Sequence, residues 1–489
     1  VGLLNLSGLG VGYALTRVWW AMALCWAATG GLLLLTLPAD PDGVSGGVLV
    51  GYLAVLAGAA AHGAYLGLRR RLTWPPRSTV AVLLGVVLLA APGGGFVAYD
   101  SARDEATQEM LLDRLERADR IVETANDQPF SRAESDYTKA LDIYGDLTDD
   151  HAGSRAAKRV PDRLQTYYET VGAPYGRKEY CEAITPLKHL RTVPAIVGKQ
   201  SVGPLATWPD DRLATSLYEC GVTGLGQSVY AAEKNANLSE LLTEFPKSEQ
   251  AAKVEPAVSA AIATAADNLK GSAPCEAVTT LNALSSQATV LAKGATGGAG
   301  GLGEAAGTAK GHVQSGTYAC GVDQYKDGQF DSAIKTLKGF ADTYRSDKNR
   351  PRAQKIVIAA EIAKELPAAG KNLPTTASGG SITVTVKNDS PNPVDILYTG
   401  PVTGSFSLKA CDGCTTYSNR AAARRSACQG SKSYPQRTIS LPVGTSYFLH
   451  KSTGGSSNSS GADTAKIEPG YIYTECAYAV SPFGLDVAD

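Results

Sequence analysis

The first hundred residues constrain this chain more than anything that follows. Three apolar segments, residues 18–37, 48–68 and 80–97, each approach the roughly 20 residues that a helix needs to cross a hydrocarbon core. No position in them carries a formal charge unless His62 is protonated. A signal peptide has one such core followed by a cleavage site, so several spans are the expected reading. Trp19, Trp20 and Trp74 stand at segment ends, where interfacial aromatics gather. The loop PADPDGVSGG between the first two segments has Asp40 and Asp42 and no Lys or Arg. RRRLTWPPR, between the second and third, holds Arg69, Arg70, Arg71 and Arg77, and Arg17 precedes the first. Basic loops stay on the cytoplasmic side. The chain beyond about Asp100 is therefore expected to lie outside the cytoplasm. The sequence APGGGF at Ala91 is expected to loosen the end of the third span, because Pro92 lacks an amide donor. Residues 1–16 are apolar but short, and fit a half-span, an interfacial helix or the remnant of a fourth span. His62 reads as a neutral hydrogen-bonding group in the bundle ahead of a proton-pathway residue.

Cysteine usage supports the same topology independently. Of nine cysteines, Cys25 lies in the first apolar run and the other eight lie beyond residue 180. An even set in the polar part points to disulfides and an oxidising compartment. The length of 489 residues allows two or three domains, and a net charge of -1 excludes general affinity for nucleic acid. Abundant Ala and Gly with only 2 Met reflect a high-GC genome rather than a function.

Residues 101–126 read as an amphipathic helix with Leu111, Leu112, Leu115, Ala118, Ile121 and Val122 on one stripe. Three later segments share one plan: YTKALDIYGDLTDDHAGSRAAKRV from Tyr137, LSELLTEFPKSEQAAKVEPAV from Leu238, and FDSAIKTLKGFADTYRSDKNRPRAQKIV from Phe330. Each begins with helical apolar spacing, breaks at a polar turn containing Ser and resumes as Ala-rich helix. They resemble the tetratricopeptide class, above all at the turn FPKSEQAA. That resemblance implies helix pairs that bury their apolar faces by stacking and leave a groove.

Between these segments lie two related modules, CEAITPLKHL at Cys181 and CEAVTTLNAL at Cys275, closed by CGV at Cys220 and Cys320. The openings are offset by 94 residues and the closings by 100, with the glycine-rich KGATGGAGGLGEAAG absorbing the difference as an expected flexible insertion. An internal duplication with Cys181 paired to Cys220 and Cys275 to Cys320 is expected, since an antiparallel hairpin brings such ends together. GAGGLG fits GxGxxG but lacks the strand–turn–helix setting of a dinucleotide site.

After PAAGKNLPTTASGG, which has linker composition, the apolar period changes to two. SITVTVKN, PVDILYT, SFSLKA, RTISLP, TSYFLHK, TAKIE and YIYTECAYAV are the expected strands of a β-sandwich resembling the immunoglobulin type. Cys411, Cys414, Cys428 and Cys476 fall here. Structural disulfides are preferred to a redox CDGC pair, and a zinc site ranks last because the spacing gives no second knuckle. Which cysteines pair is left open among three connectivities. Asp149 and Asp150 read as exposed turn carboxylates, and Arg424 and Arg425 as a basic spot in a solvated loop between cysteines, with contact to an anionic ligand as the alternative. No catalytic constellation, metal set or cofactor motif emerges.

The expected layout is a multi-domain membrane protein. Residues 1–99 form an α-helical transmembrane anchor, 100–366 an all-α tetratricopeptide-like array, 367–380 a linker and 381–489 an all-β sandwich. It resembles membrane proteins of high-GC bacteria. The expected function is a non-enzymatic envelope protein of the plasma membrane, anchored in the lipid bilayer and presenting surfaces to a protein or peptide outside the cytoplasm. The alternatives are a thiol–disulfide oxidoreductase using CDGC and a membrane sensor or transport accessory subunit.

Overall fold

A computed structural model describes residues 1–36, 46–69, 78–227, 232–294, 299–454 and 460–481. The chain divides into two units, Val1–Arg212 and Leu213–Asp489.

The first unit opens with two short helices, α1 (Gly2–Asn5) and α2 (Val11–Leu15), followed by α3 (Trp19–Thr36), α4 (Gly46–Arg69) and α5 (Ser78–Asn126). Neither α1 nor α2 is long enough to span a bilayer. Gly8 and Gly10 take left-handed φ values of 72° and 64°, turning the chain between them. Asn5 fixes that turn: its amide donates to the Ala59 carbonyl at 3.2 Å, and its Oδ1 accepts the Tyr13 N–H at 3.0 Å. The opening stretch thus packs on α4. Tyr13 Oη lies 3.0 Å from His62 Nδ1, which gives that histidine a polar neighbour.

Among the described residues, one helical segment, Val50–Arg69, is long and apolar enough to cross a membrane, and Trp19–Leu34 is a shorter apolar helix. Three separate spans are therefore more than the helices themselves display. The backbone of the third expected segment stays helical through Pro92, where loosening was expected. It continues into the polar part of α5 as one helix of 49 residues. One missing donor at Pro92 is outweighed because each further residue on either side adds a helical hydrogen bond. Trp74, Arg70, Arg71, Arg77 and the acidic loop residues Asp40 and Asp42 lie outside the described residues.

The polar half of α5 buries Leu111, Leu115, Ala118, Val122 and Ala125 along one stripe. On it pack α6 (Phe130–Asp149) and α7 (Val160–Val171), followed by α8 (Ala173–Gly176), α9 (Tyr180–Leu190), α10 (Val193–Ile196), α11 (Lys199–Val202) and α12 (Trp208–Val222), in which the division between units falls. The core here is aromatic. Tyr137, Tyr144, Tyr167 and Tyr168 are all buried, with Tyr167 edge-on to the other three. Three of their hydroxyls are satisfied: Tyr144 donates to Asp119 at 2.8 Å, Tyr168 to the Leu190 carbonyl at 3.1 Å, and Tyr167 lies 2.7 Å from His189 Nε2. Asp149 and Asp150 close α6 in an exposed position.

The second unit continues with α13 (Ala232–Glu244), α14 (Glu249–Asn268), α15 (Pro274–Gly294), α16 (Ala299–Lys326), α17 (Phe330–Thr343) and α18 (Arg350–Glu365). Ser248 caps α14 by accepting the Ala251 N–H on its hydroxyl at 3.1 Å, so the FPKSEQAA turn ends as its sequence prescribes. The glycine-rich insertion beyond residue 298 is helix instead of loose chain. Leu302, Ala305, Ala306, Ala309 and Val313 recur at helical spacing and are buried, while Gly303, Gly307 and Gly311 face open space. Burial of that stripe offsets the low helix propensity of the glycines.

All seven expected strands are present, as β1 (Ile382–Asp389), β2 (Val394–Thr399), β3 (Gly404–Leu408), β4 (Gln436–Leu441), β5 (Gly444–Ser452), β6 (Ser460–Ile467) and β7 (Tyr473–Tyr478). The sheets run β4-β1-β7 and β3-β2-β5-β6, with β1 and β7 parallel and the other pairs antiparallel. Val384, Val386, Ile396, Phe448, Ile467 and Ala477 from both sheets share one core. Along β5, Ser446, Phe448 and His450 point inward. Leu449 takes the opposite face and packs with Leu397 of β2 on Ile362 and Ala369 of the helical part. Residues 367–380 have linker composition, yet they are held in place. Tyr325 Oη donates to the Asn372 carbonyl at 3.1 Å, and Lys355 Nζ donates to the carbonyls of Thr376 and Ala377.

Candidate functional site

A groove of about 630 Å³ runs along α16 and α17 and is edged by Asn282 of α15. Val313, Thr317 and Gln324 contribute from α16 at helical spacing. From α17 come Ser332, Lys335, Thr336, Gly339, Phe340 and Thr343. The floor is aromatic and the walls carry hydroxyl and amide groups. Lys335 is the one formally charged residue among those lining it. Gln324 Oε1 is buried and accepts no hydrogen bond among the described residues. A buried acceptor left unsatisfied is costly.

The eight polar-region cysteines are all oxidised. Cys275 in the first turn of α15 is joined to Cys320 of α16, and Cys181 and Cys220 are each disulfide-bonded. In the sandwich Cys411 joins Cys414 and Cys428 joins Cys476, a choice that spacing alone left open. Cys25 is a buried free thiol. The basic spot differs from expectation, because Arg424 and Arg425 lie in a short helix, α19 (Arg420–Ser426), capped by Asn419 Oδ1 accepting the Ala422 N–H at 2.8 Å. Both arginines are exposed.

Two groups of sandwich residues escaped the sequence. Asp389, at the end of β1 and 2% exposed, accepts the Tyr417 hydroxyl at 2.6 Å and the Cys428 N–H at 2.9 Å, both on Oδ2. A carboxylate oxygen of Asp389 and the sulfurs of Cys411 and Cys414 all lie within 4.8 Å of one another. That is metal-site spacing, but a disulfide commits both sulfurs. Burial and the Asp389 hydrogen bond push the Tyr417 phenol well above its usual range.

The second group is His450 of β5 and Glu475 of β7, which face each other across the interior with Nε2 and Oε1 3.3 Å apart. The alignment is not that of a hydrogen bond, and among the described residues His450 Nε2 has no such partner. Burial lowers His450 to about 4 and raises Glu475 to about 8, with the charge of Asp463 as a lesser influence on both. Between those values both groups are neutral.

In comparison with known proteins, no family model, curated protein or solved structure matches the chain.

Proposed function

We propose that the chain is a membrane-anchored binding protein of the cell envelope, without catalytic activity in its helical part, that presents its groove to a peptide segment of a partner outside the cytoplasm. The groove on α16 and α17 carries this reading. Its hydroxyl and amide walls suit a peptide backbone. Tetratricopeptide-like stacking of helix pairs is the architecture proposed for residues 100–366, and an immunoglobulin-like arrangement for the sandwich. Anchoring rests on Val50–Arg69, with the apolar helix Trp19–Leu34 and the first part of α5 proposed as further spans.

The test is site-specific photocrosslinking in native membranes, with benzoylphenylalanine at Thr336 and, as control, at Ser407 on the sandwich. A discrete polypeptide adduct from position 336 alone supports the reading. Adducts at neither position, or equally at both, would remove it.

A second reading, a sensor or transport accessory, draws on the polar network of Asn5, Tyr13 and His62 within the N-terminal helices, since an inert anchor has no need of it. Replacing residues 1–97 by an unrelated anchor distinguishes the two. Adduct formation at Thr336 that survives the exchange favours the binding protein, and its loss favours the sensor.

A further inference from the structure

We infer that Cys411 and Cys414 form a redox-active couple with Asp389 as its proton acceptor, an activity separate from peptide binding. The disulfides differ in what they connect. Cys275–Cys320 ties one helix to the next across 45 residues, and Cys428–Cys476 pins the segment after α19 to β7 across 48. Cys411–Cys414 spans 3 residues of a single turn and joins no two elements of the fold. On the chain-entropy account it adds the least to the stability of the fold, so the fold in turn does least to hold it closed.

The surroundings supply a covering turn, a nearby cation and a carboxylate. Asp412 and Gly413 form an exposed turn directly over the pair. Gly413 has a left-handed φ of 76°, and a side chain there would meet no neighbour, while Cys411 and Cys414 are only 3% and 6% exposed, so exchange requires this turn to lift away from them. Lys432 Nζ donates to the Gly413 carbonyl at 3.0 Å, placing a positive charge where an incoming thiolate arrives. Beneath lies the Asp389 carboxylate, within 4.8 Å of the sulfurs. Tyr417 and Cys428 both reach Oδ2, and among the described residues none donates to Oδ1.

The exchange balances with a protein or small-molecule disulfide as oxidant. From the dithiol form, the Cys414 thiolate, its proton released to solvent, attacks one sulfur of the target disulfide. A mixed disulfide forms, and the target's other sulfur leaves with the electron pair and takes a proton. The Cys411 thiol passes its proton to Asp389, and its thiolate attacks Cys414 Sγ. The Cys411–Cys414 bond forms, the mixed bond breaks, and the second target sulfur leaves and collects the proton. The target gains two electrons and two protons, which the pair loses. A dithiol returns the pair to its reduced form by the reverse steps.

The test equilibrates the full-length protein in detergent with graded ratios of reduced to oxidised dithiothreitol, traps thiols with a maleimide and maps them by mass spectrometry. The expected result is half-reduction of Cys411–Cys414 at a ratio at least tenfold lower than for Cys275–Cys320 and Cys428–Cys476, with reoxidation by glutathione disulfide. Reduction no earlier than the other two, or a reduced pair that glutathione disulfide fails to reoxidise, would overturn the couple. Asp389→Asn keeps an oxygen for Tyr417 and Cys428. It is expected to slow reoxidation at least tenfold with the half-reduction ratio unchanged. An unchanged rate, or a rate that falls only as the ratio shifts, would overturn the assignment of Asp389.

Discussion

The α15–α16 hairpin and the CDGC turn of the sandwich carry the same covalent bond under opposite conditions. In the hairpin, the bond closes a loop of 45 residues around a core of Ala277, Leu281, Leu284, Ala288 and Ala309. On the chain-entropy account such closure stabilises by about 4 kcal/mol, and closing a four-residue turn by only about 2 kcal/mol. The first bond adds the larger share to the fold. The second sits where β1, the turn and Cys428 already converge on Asp389, and adds the smaller share. Sequence separation, more than burial, divides structural bonds from those free for other work.

The strongest attempt to break this contrast is to replace both Cys275 and Cys320 by Ala. Urea unfolding of the detergent-solubilised protein is expected to show a loss of about 4 kcal/mol for the helical part, and a loss below that of the CDGC variant would reverse the comparison. Next comes the buried pair of the sandwich. Glu475 is raised from 4.5 to about 8, so its contribution is complete below pH 4.5 and is lost as pH rises through about 8. His450 is lowered from 6.5 to about 4, so its contribution is present above pH 6.5 and is lost as pH falls through about 4. Hydrogen exchange of β5 and β7 amides is expected to accelerate between pH 6 and pH 9 beyond its intrinsic dependence, by an amount equivalent to about 3 kcal/mol. Glu475→Gln should abolish that excess.

Replacing Cys411 and Cys414 by Ser is expected to cost about 2 kcal/mol, with the rest of the sandwich intact by exchange. Ser248→Ala, which removes the α14 cap, should cost about 1 kcal/mol in the same urea assay. Smallest is Lys451→Met. Its bridge to Glu361 at 2.8 Å is nearly half exposed on the lysine side, and about 0.5 kcal/mol is the expected change in unfolding free energy.

Local chemistry was legible where it was self-contained. The seven strands followed from a period of two, and the Ser248 cap from a polar residue before an Ala-rich run. Cys275 and Cys320 lay at facing ends of one antiparallel hairpin. What escaped was decided by topology. Asp389 stands 22 residues before Cys411 in sequence, and meets it only because β1 ends beside the returning chain. His450 and Glu475 belong to different sheets, and no strand period reveals which residues face each other across a core. Glycine content misled at residues 299–311, since the apolar stripe of Leu302, Ala305 and Ala309 decides the conformation. Pro92 misled for a related reason, as a long helix tolerates one lost bond. The Arg420–Ser426 helix is seven residues long and too short to show a period.

The seating of Leu397 and Leu449 on Ile362 and Ala369 bears on how the β part could ever have been inherited. A module that travels between genes needs a sealed boundary. Here the natural cut at residue 380 would strip an apolar face and leave Glu361 without Lys451. The transferable piece is the sandwich together with Arg350–Glu365, so homologous shuffling at this junction would be expected to carry the helix along.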